Sequence, residues 1–148
     1  MSDAWVAAVA LLARREHGAK ELSMKLTQKG HDADEIAVAI AECQRLALQS
    51  DERFTESILH VRMRQGYGPD RIRAELQQKQ VDGEWLKALL QAEPVDWVVQ
   101  AKQVLQKKYK SLVLGTWHEQ QKQKQFLLYR GFSKSTIAEV FEEMVNEQ

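Results

Sequence analysis

Cysteine is almost absent from this chain of 148 residues, which contains a single one, Cys43. An intrachain disulfide is therefore excluded, and the composition suits a reducing compartment. Cys43 follows Ile36, Ala39 and Ile40 at helical spacing. We therefore expect a buried thiol rather than a reactive one.

Long hydrophobic runs are lacking as well. The longest apolar stretch, Trp5 to Ala13, is too short to cross a bilayer. Its positive charges, Arg14 and Arg15, follow the stretch, whereas a secretory signal peptide carries them in front. We therefore expect a soluble, cytoplasmic protein with no membrane partner.

Catalytic and metal-binding motifs are missing from the sequence. The four histidines are scattered, and neither a His-Glu-x-x-His pattern nor a cysteine pair is present. The glycines at positions 66 and 68 follow no strand and precede no Gly-Lys-Ser/Thr, so they do not form a phosphate-binding loop. We expect no metal, no cofactor and no enzymatic activity. A concealed enzyme is the alternative, and it would require turnover that disappears with one substitution outside the basic patches.

Proline and strand signals are scarce too, with only 2 prolines in the chain. Apolar residues instead recur at spacings of three and four, as in Trp5, Val9 and Leu12. Asp32, Ser50 and Ser133 are each placed to cap a helix. The predicted fold class is all-α.

The helical pattern recurs about every 50 residues. A shift of 50 places Ile72 on Leu22 and Leu76 on Leu26, and a shift of 101 places Leu127 on Leu26. Because one copy is too small to be stable alone, we expect stacked copies that bury a continuous face. The prediction is three tandem three-helix repeats that form an elongated, curved helical array. The predicted repeats span residues 1–49, 50–93 and 94–148.

Two equivalent connections between helices differ in sequence, and we expect one to be a tight turn and the other to be looser. Between the first two helices of the middle repeat, Gly66 and Gly68 are expected to take positive φ, and Pro69 to start the next helix. In the last repeat the corresponding connection, residues 111–116, is looser.

Positive charge is segregated although the net charge is zero. Residues 102–134 contain eight basic side chains and one acidic. Basic residues interleaved with tyrosines suit a nucleic-acid backbone or an acidic protein groove. The plainer alternative is that these charges simply coat the helices. The candidate partner- or DNA-binding residues are Arg62, Arg64, Tyr67, Arg71, Arg73, Lys79, Lys107, Lys108, Lys122, Lys124 and Arg130.

We expect some of the large aromatic side chains to lie in the core and others on the surface. Tyr129 is expected to pack at a helix end, while Tyr67, in a turn, can either pack or bind. Trp5, Trp85 and Trp97 are expected in the core, and position 117 is expected to be partly exposed. Arg71 and Arg73 flank the buried Ile72 and should stay near solvent.

Three motifs together resemble the RecX family, regulators of the recombinase RecA. Residues 12–22 are similar to its opening motif, residues 51–54 and 64–76 to its most distinctive segment, and residues 124–132 to its C-terminal motif. The match covers nearly the whole chain in order. It departs at Gly18, where the family often has serine, and in the near absence of an N-terminal extension, which leaves any function of that extension in doubt.

This resemblance implies an all-helical protein of tandem three-helix units that binds the RecA filament on single-stranded DNA. The implied outcome is lower ATPase, strand-exchange and co-protease activity, in homologous recombination, DNA repair and the SOS response. A monomer is expected. The alternative is a general single-stranded nucleic-acid-binding protein that competes for DNA.

Overall fold

The structure is a computed structural model that describes residues 2–111 and 113–147, and these residues form helices and short connections without a strand. The predicted all-α class is therefore confirmed. Leu112, in the connection expected to be loose, lies outside the described residues, as do Met1 and Gln148. The helices are α1 (Asp3–Arg14), α2 (Ala19–Gln28), α3 (Ala33–Arg45), α4 (Asp51–Arg64), α5 (Pro69–Gln78), α6 (Gly83–Ala92), α7 (Trp97–Tyr109), α8 (Trp117–Tyr129) and α9 (Lys134–Asn146).

Short polar side chains start the helices, as the sequence predicts. The Asp32 carboxylate accepts from the backbone N–H groups of Asp34 and Glu35 at the start of α3. Ser50 accepts from Arg53 N at 3.2 Å before α4, and Ser133 accepts from Thr136 N at 3.1 Å before α9. Each cap satisfies a donor that the first turn of a helix leaves unpaired.

The middle helix of each repeat ends in the same left-handed turn. Gly30, Gln80 and Gly131 have φ of 90°, 56° and 98°, and they follow α2, α5 and α8 at equivalent positions. In each case the next residue donates its N–H to the carbonyl five residues back, at 3.0–3.2 Å, which is the Schellman pattern. The 50-residue period therefore appears in backbone geometry as well as in sequence.

Contacts between Cα atoms group the chain into two compact units. The first unit comprises Met1–Ile58 and Glu75–Ala92, and the second comprises Leu59–Ala74 and Glu93–Gln148. The predicted repeat boundaries at 49/50 and 93/94 stay a prediction.

The core of the first unit contains α1, α2 and α3. Its fully buried side chains include Leu22, Leu26 and Cys43, so the prediction of a buried thiol is confirmed. Burial also raises the pKa of Cys43. Trp5 is partly buried against this core, whereas Trp85 is 41% exposed, and the expectation of a core role for Trp85 was wrong.

The core of the second unit contains α7, α8 and α9. Leu105, Leu127, Phe132 and Val140 are fully buried in it, and Trp97 packs against it from the side. In the part of the chain that the structure describes, no helix is long and apolar enough to span a membrane.

Candidate functional site

The turn between α4 and α5 uses its two glycines for different reasons. Gly66 has φ +88°, a left-handed conformation that ends α4. Gly68 does not have a positive φ, contrary to the sequence-based expectation. A Cβ at Gly68 would instead lie 2.5 Å from the carbonyl oxygen of Gly131. Gly68 is therefore required by the close approach of another backbone segment. Pro69 starts α5, as predicted.

This turn is joined to the end of α8 by backbone hydrogen bonds within the second unit. Gly68 N donates to Arg130 O at 2.8 Å, and Asp70 N donates to Gly131 O at 2.9 Å. A Cβ at Gly131 would lie 2.5 Å from Cβ of Arg71. Two glycine turns from different repeats are thus packed backbone to backbone, and the side chains around them are brought together.

Basic and aromatic side chains alternate around this junction. The Arg71 guanidinium lies over the Tyr67 ring, 4.0 Å from its centroid, and 5.6 Å from the centroid of Tyr129. The Arg130 guanidinium lies 5.1 Å from the Tyr67 centroid and 5.0 Å from that of Phe126. Contacts of this kind contribute about 0.5–2 kcal/mol each and leave the positive charge in place. Tyr67 therefore packs and orders two arginines at once.

A cationic groove of about 390 Å³ lies next to these rings. Arg130 is held at its edge by a hydrogen bond from Nη1 to Gln65 O at 2.9 Å. Among the described residues, the side chains lining the groove include four cations and no carboxylate. An anion that enters meets several donors and no repulsion. The lining is Met63, Arg64, Gln65, Gly66, Gln100, Gln103, Val104, Lys107, Lys108, Phe126 and Arg130.

An open, mostly aromatic cavity of about 580 Å³, here called the aromatic shelf, lies along one face of α8. Phe126 lines both the shelf and the cationic groove. Tyr129 is 76% exposed, so the expectation that it packs at a helix end was wrong. Tyr109 meets Phe126 edge to face, with ring centroids 5.8 Å apart. The shelf is lined by Tyr109, His118, Gln121, Lys122, Gln125, Phe126 and Tyr129.

The remaining predicted residues lie outside the groove. Arg62 donates to Gln65 Oε1 at 2.9 Å, and Arg73 pairs with Asp70 at 3.0 Å on the surface. Lys124 lies 5.1 Å from the Phe141 centroid. Arg71 and Arg73 are exposed, as expected.

Lys79 has a different environment, in the first unit. Its ammonium pairs with Glu21 at 3.1 Å and with Glu75 at 3.5 Å. Burial alone would raise the pKa of Glu21, but hydrogen bonds from Arg15 and Lys79 and their positive charges lower that pKa to about 2. The positive charge of Lys79 is therefore balanced by carboxylates within the fold.

Sequence reasoning missed part of the groove and most of the shelf. Phe126 was not singled out, although it precedes Arg130 by four residues and so shares its face of α8. Nothing in the sequence indicated Gln65 or Val104 as groove residues, because only the packing of α7 against the α4–α5 turn brings them to the groove. Within residues 2–111 and 113–147, no group of three or more His, Cys, Asp or Glu side chains is placed to hold a metal ion.

Comparisons with known proteins give one consistent family. Family models described as RecX, first, second and third three-helix domain, match residues 4–43, 50–90 and 96–141. A protein named Regulatory protein RecX from Legionella pneumophila is 44% identical over 144 residues, covering 97% of this chain and 96% of that protein. One of the same name from Yersinia enterocolitica is 34% identical over 166 residues, covering 98% and 99%.

A solved structure agrees. The crystal structure of RecX from Lactobacillus salivarius matches with a TM-score of 0.77 and 26% identity, covering 95% of this chain and 94% of that one. Three helical domains in the same order and full-length identity of this level leave one assignment, and the chain belongs to the RecX family of regulatory proteins.

Proposed function

We propose that this protein binds the RecA filament on single-stranded DNA and lowers its ATPase, strand-exchange and co-protease activities. Family membership supports this role, because the relatives are named regulatory proteins. A protein with this proposed role would act in recombinational DNA repair and the SOS response.

The observation that carries the proposal is the cationic groove of the second unit. Arg64, Lys107, Lys108 and Arg130 come from three helices and their ends, yet they line one cavity. A filament on DNA is a repetitive, negatively charged polymer, and convergent cations without a carboxylate among the described lining residues suit such a partner. Stacked arginines add affinity for a polyanion because their charges stay uncompensated.

The test is a triple substitution, Arg64→Gln with Lys107→Gln and Lys108→Gln. All three side chains are exposed, so the helical circular dichroism should be unchanged. The concentration that halves the DNA-dependent ATPase of RecA should rise at least about a hundredfold, since three charge-assisted contacts are removed, each worth about 1 kcal/mol or more.

The matched control carries Lys20→Gln, Lys29→Gln and Lys87→Gln, three exposed lysines of the first unit. It has the same net charge as the triple groove variant and should inhibit like the wild type. Equal inhibition by the groove variant and the wild type would remove the groove from the mechanism.

A second candidate is a general single-stranded nucleic-acid-binding protein that inhibits by competition, which the exposed rings of the shelf favour. A salt titration separates the two candidates. A competitor should bind bare DNA as tightly as filaments, with the same steep loss at high salt. A filament-binding protein should prefer filaments at every salt concentration.

A further inference from the structure

We propose that the second unit binds single-stranded nucleic acid directly, with phosphates in the cationic groove and bases stacked on the aromatic shelf. The proposal rests on the proposed function, because it names what this surface contacts when the protein meets a filament. It assigns direct nucleic-acid contact to one of the two compact units.

The first step of the argument is the chemistry of the two cavities. One is lined by four cations, and the other by Tyr109, His118, Phe126 and Tyr129. Proteins that bind single strands combine a positive groove for the backbone with rings that stack on bases. An acidic protein surface is the competing partner, since protein interfaces are also rich in tyrosine and arginine, and the filament assays described below distinguish the two.

The second step is the connection between the cavities. Phe126 lines both, with the Lys108 ammonium 5.8 Å from its centroid and the Arg130 guanidinium on it at 5.0 Å. Positive charge therefore reaches the edge of the shelf. If the phosphates of a strand lie in the groove, its bases are within reach of the rings. The described residues that line the two cavities include no carboxylate that would repel the strand on the way.

The third step is the exposure and order of the rings. Tyr129 is 76% exposed, although burying an aromatic side chain is favourable. Its neighbour Arg71 lies 5.6 Å from its centroid and limits its freedom. From His118 to Tyr129 the face extends about 16 Å along α8 at 1.5 Å per residue. An ordered, exposed ring has less rotational freedom to lose when a base stacks on it.

The fourth step is the strandedness of the ligand. In a duplex the bases are already stacked on one another and their flat faces are covered. A single strand can splay its bases onto protein rings. The shelf therefore favours single strands over duplexes, while the groove alone does not discriminate between them.

The experiment measures how the full chain binds four labelled probes of equal length, by fluorescence anisotropy at fixed salt. The probes are oligothymidylate, the same backbone made abasic, and duplex DNA; an oligouridylate tests whether RNA serves as well. Oligothymidylate should bind about tenfold more tightly than the abasic probe, because each stacked base contributes on the order of 1–3 kcal/mol. Equal affinities for these two probes would overturn the proposal.

Variants at the shelf locate the stacking. Tyr129→Ala should lose about tenfold in affinity for oligothymidylate and nothing for the abasic probe, whereas Tyr129→Phe, which keeps the ring, should bind like the wild type. The matched control is Trp85→Ala, since Trp85 is 41% exposed, lies in the first unit and does not line the shelf. An equal loss for Trp85→Ala and Tyr129→Ala would also overturn the proposal.

Filament assays separate this proposal from the proposed function. If Tyr129→Ala weakens binding to RecA filaments but not to bare oligothymidylate, the shelf contacts protein and the inference is wrong while the proposed function stands. If the wild type stacks on DNA but does not lower RecA ATPase, the proposed function fails and the inference stands.

Discussion

The two compact units use the same repeat position in opposite ways. Lys79 and Arg130 each follow the last residue of a middle helix and precede the left-handed residue. In the first unit, Lys79 pairs with the carboxylates of Glu21 and Glu75. In the second, Arg130 stacks on Tyr67 and Phe126.

This difference teaches that the partner of a cation decides whether its charge serves folding or binding. A carboxylate cancels the charge, whereas a ring or a backbone carbonyl orders the side chain and leaves the charge available. The position seven residues before the end of the middle helix also differs between the two units, being acidic in the first and basic in the second. It is Glu21 in the first repeat, Arg71 in the second and Lys122 in the third.

The largest expected effect comes from Gly131→Ala, compared with Gly30→Ala at the equivalent turn. Both residues have a left-handed φ, but a Cβ at Gly30 meets nothing within 4 Å, whereas a Cβ at Gly131 meets Arg71 at 2.5 Å. Gly30→Ala should therefore cost about 1 kcal/mol of the free energy of unfolding, and Gly131→Ala about 3 kcal/mol. Urea unfolding followed by circular dichroism measures both. Similar losses for the two would contradict the close packing at Gly131.

The next effect is the acid sensitivity of the first unit. The pKa of Glu21 is lowered to about 2 in the fold, so its ion pairs stabilise the protein above the ordinary pKa of glutamate. This stabilisation, on the order of 2 kcal/mol, is lost as the pH falls from about 5 to about 2. Glu21→Gln should be less stable at pH 7 and lose less on acidification.

Unfolding free energies measured at pH 7 and at about pH 3 test this difference, because the loss falls between the ordinary pKa of glutamate and the lowered pKa of Glu21. Glu42→Gln is the control, because the pKa of Glu42 is also lowered, by its hydrogen bond with Arg45, but at an exposed surface pair. It should keep the wild-type pH dependence. A Glu21→Gln variant as acid-sensitive as the wild type would show that Glu21 does not supply this stability.

The smallest effect separates the two equivalent cations. Arg130→Gln should weaken binding to filaments about tenfold, because one charge-assisted contact is worth about 1.4 kcal/mol here. Lys79→Gln should leave binding within about twofold, yet lower the free energy of unfolding, because Glu21 and Glu75 each lose one cationic partner. Anisotropy of labelled filaments and urea unfolding give the two readouts. If Lys79→Gln loses as much binding as Arg130→Gln, the conclusion that Lys79 serves folding and Arg130 serves binding is wrong.

The helices and their order could be predicted from the sequence because they depend on local signals. Ser50 and Ser133 cap where their positions indicate, and the period of 50 residues places the left-handed turns at Gly30 and Gly131. Gln80 is the instructive case. Its side chain gives no turn signal, yet the repeat requires the same backbone there, and the structure has it.

The site could be predicted only in part, because its geometry depends on contacts between repeats. Charge segregation pointed to Arg64, Lys107 and Arg130, which do meet in one groove. It could not distinguish them from Lys79, whose carboxylate partner Glu21 is 58 residues away in sequence. Nor could it show that Tyr129 stays exposed, since a helix-end tyrosine gives the same pattern whether it packs or not.

The thrice-repeated turn separates what the architecture must keep from what it leaves open. Glycine occupies it twice and glutamine once, so the requirement falls on a dihedral angle and not on one amino acid. The side chain seven residues before the end of each middle helix, in contrast, changes the sign of its charge. It is acidic at position 21 and basic at positions 71 and 122. The same three-helix module can therefore keep its backbone in every repeat while its surface side chains serve folding in one unit and binding in the other.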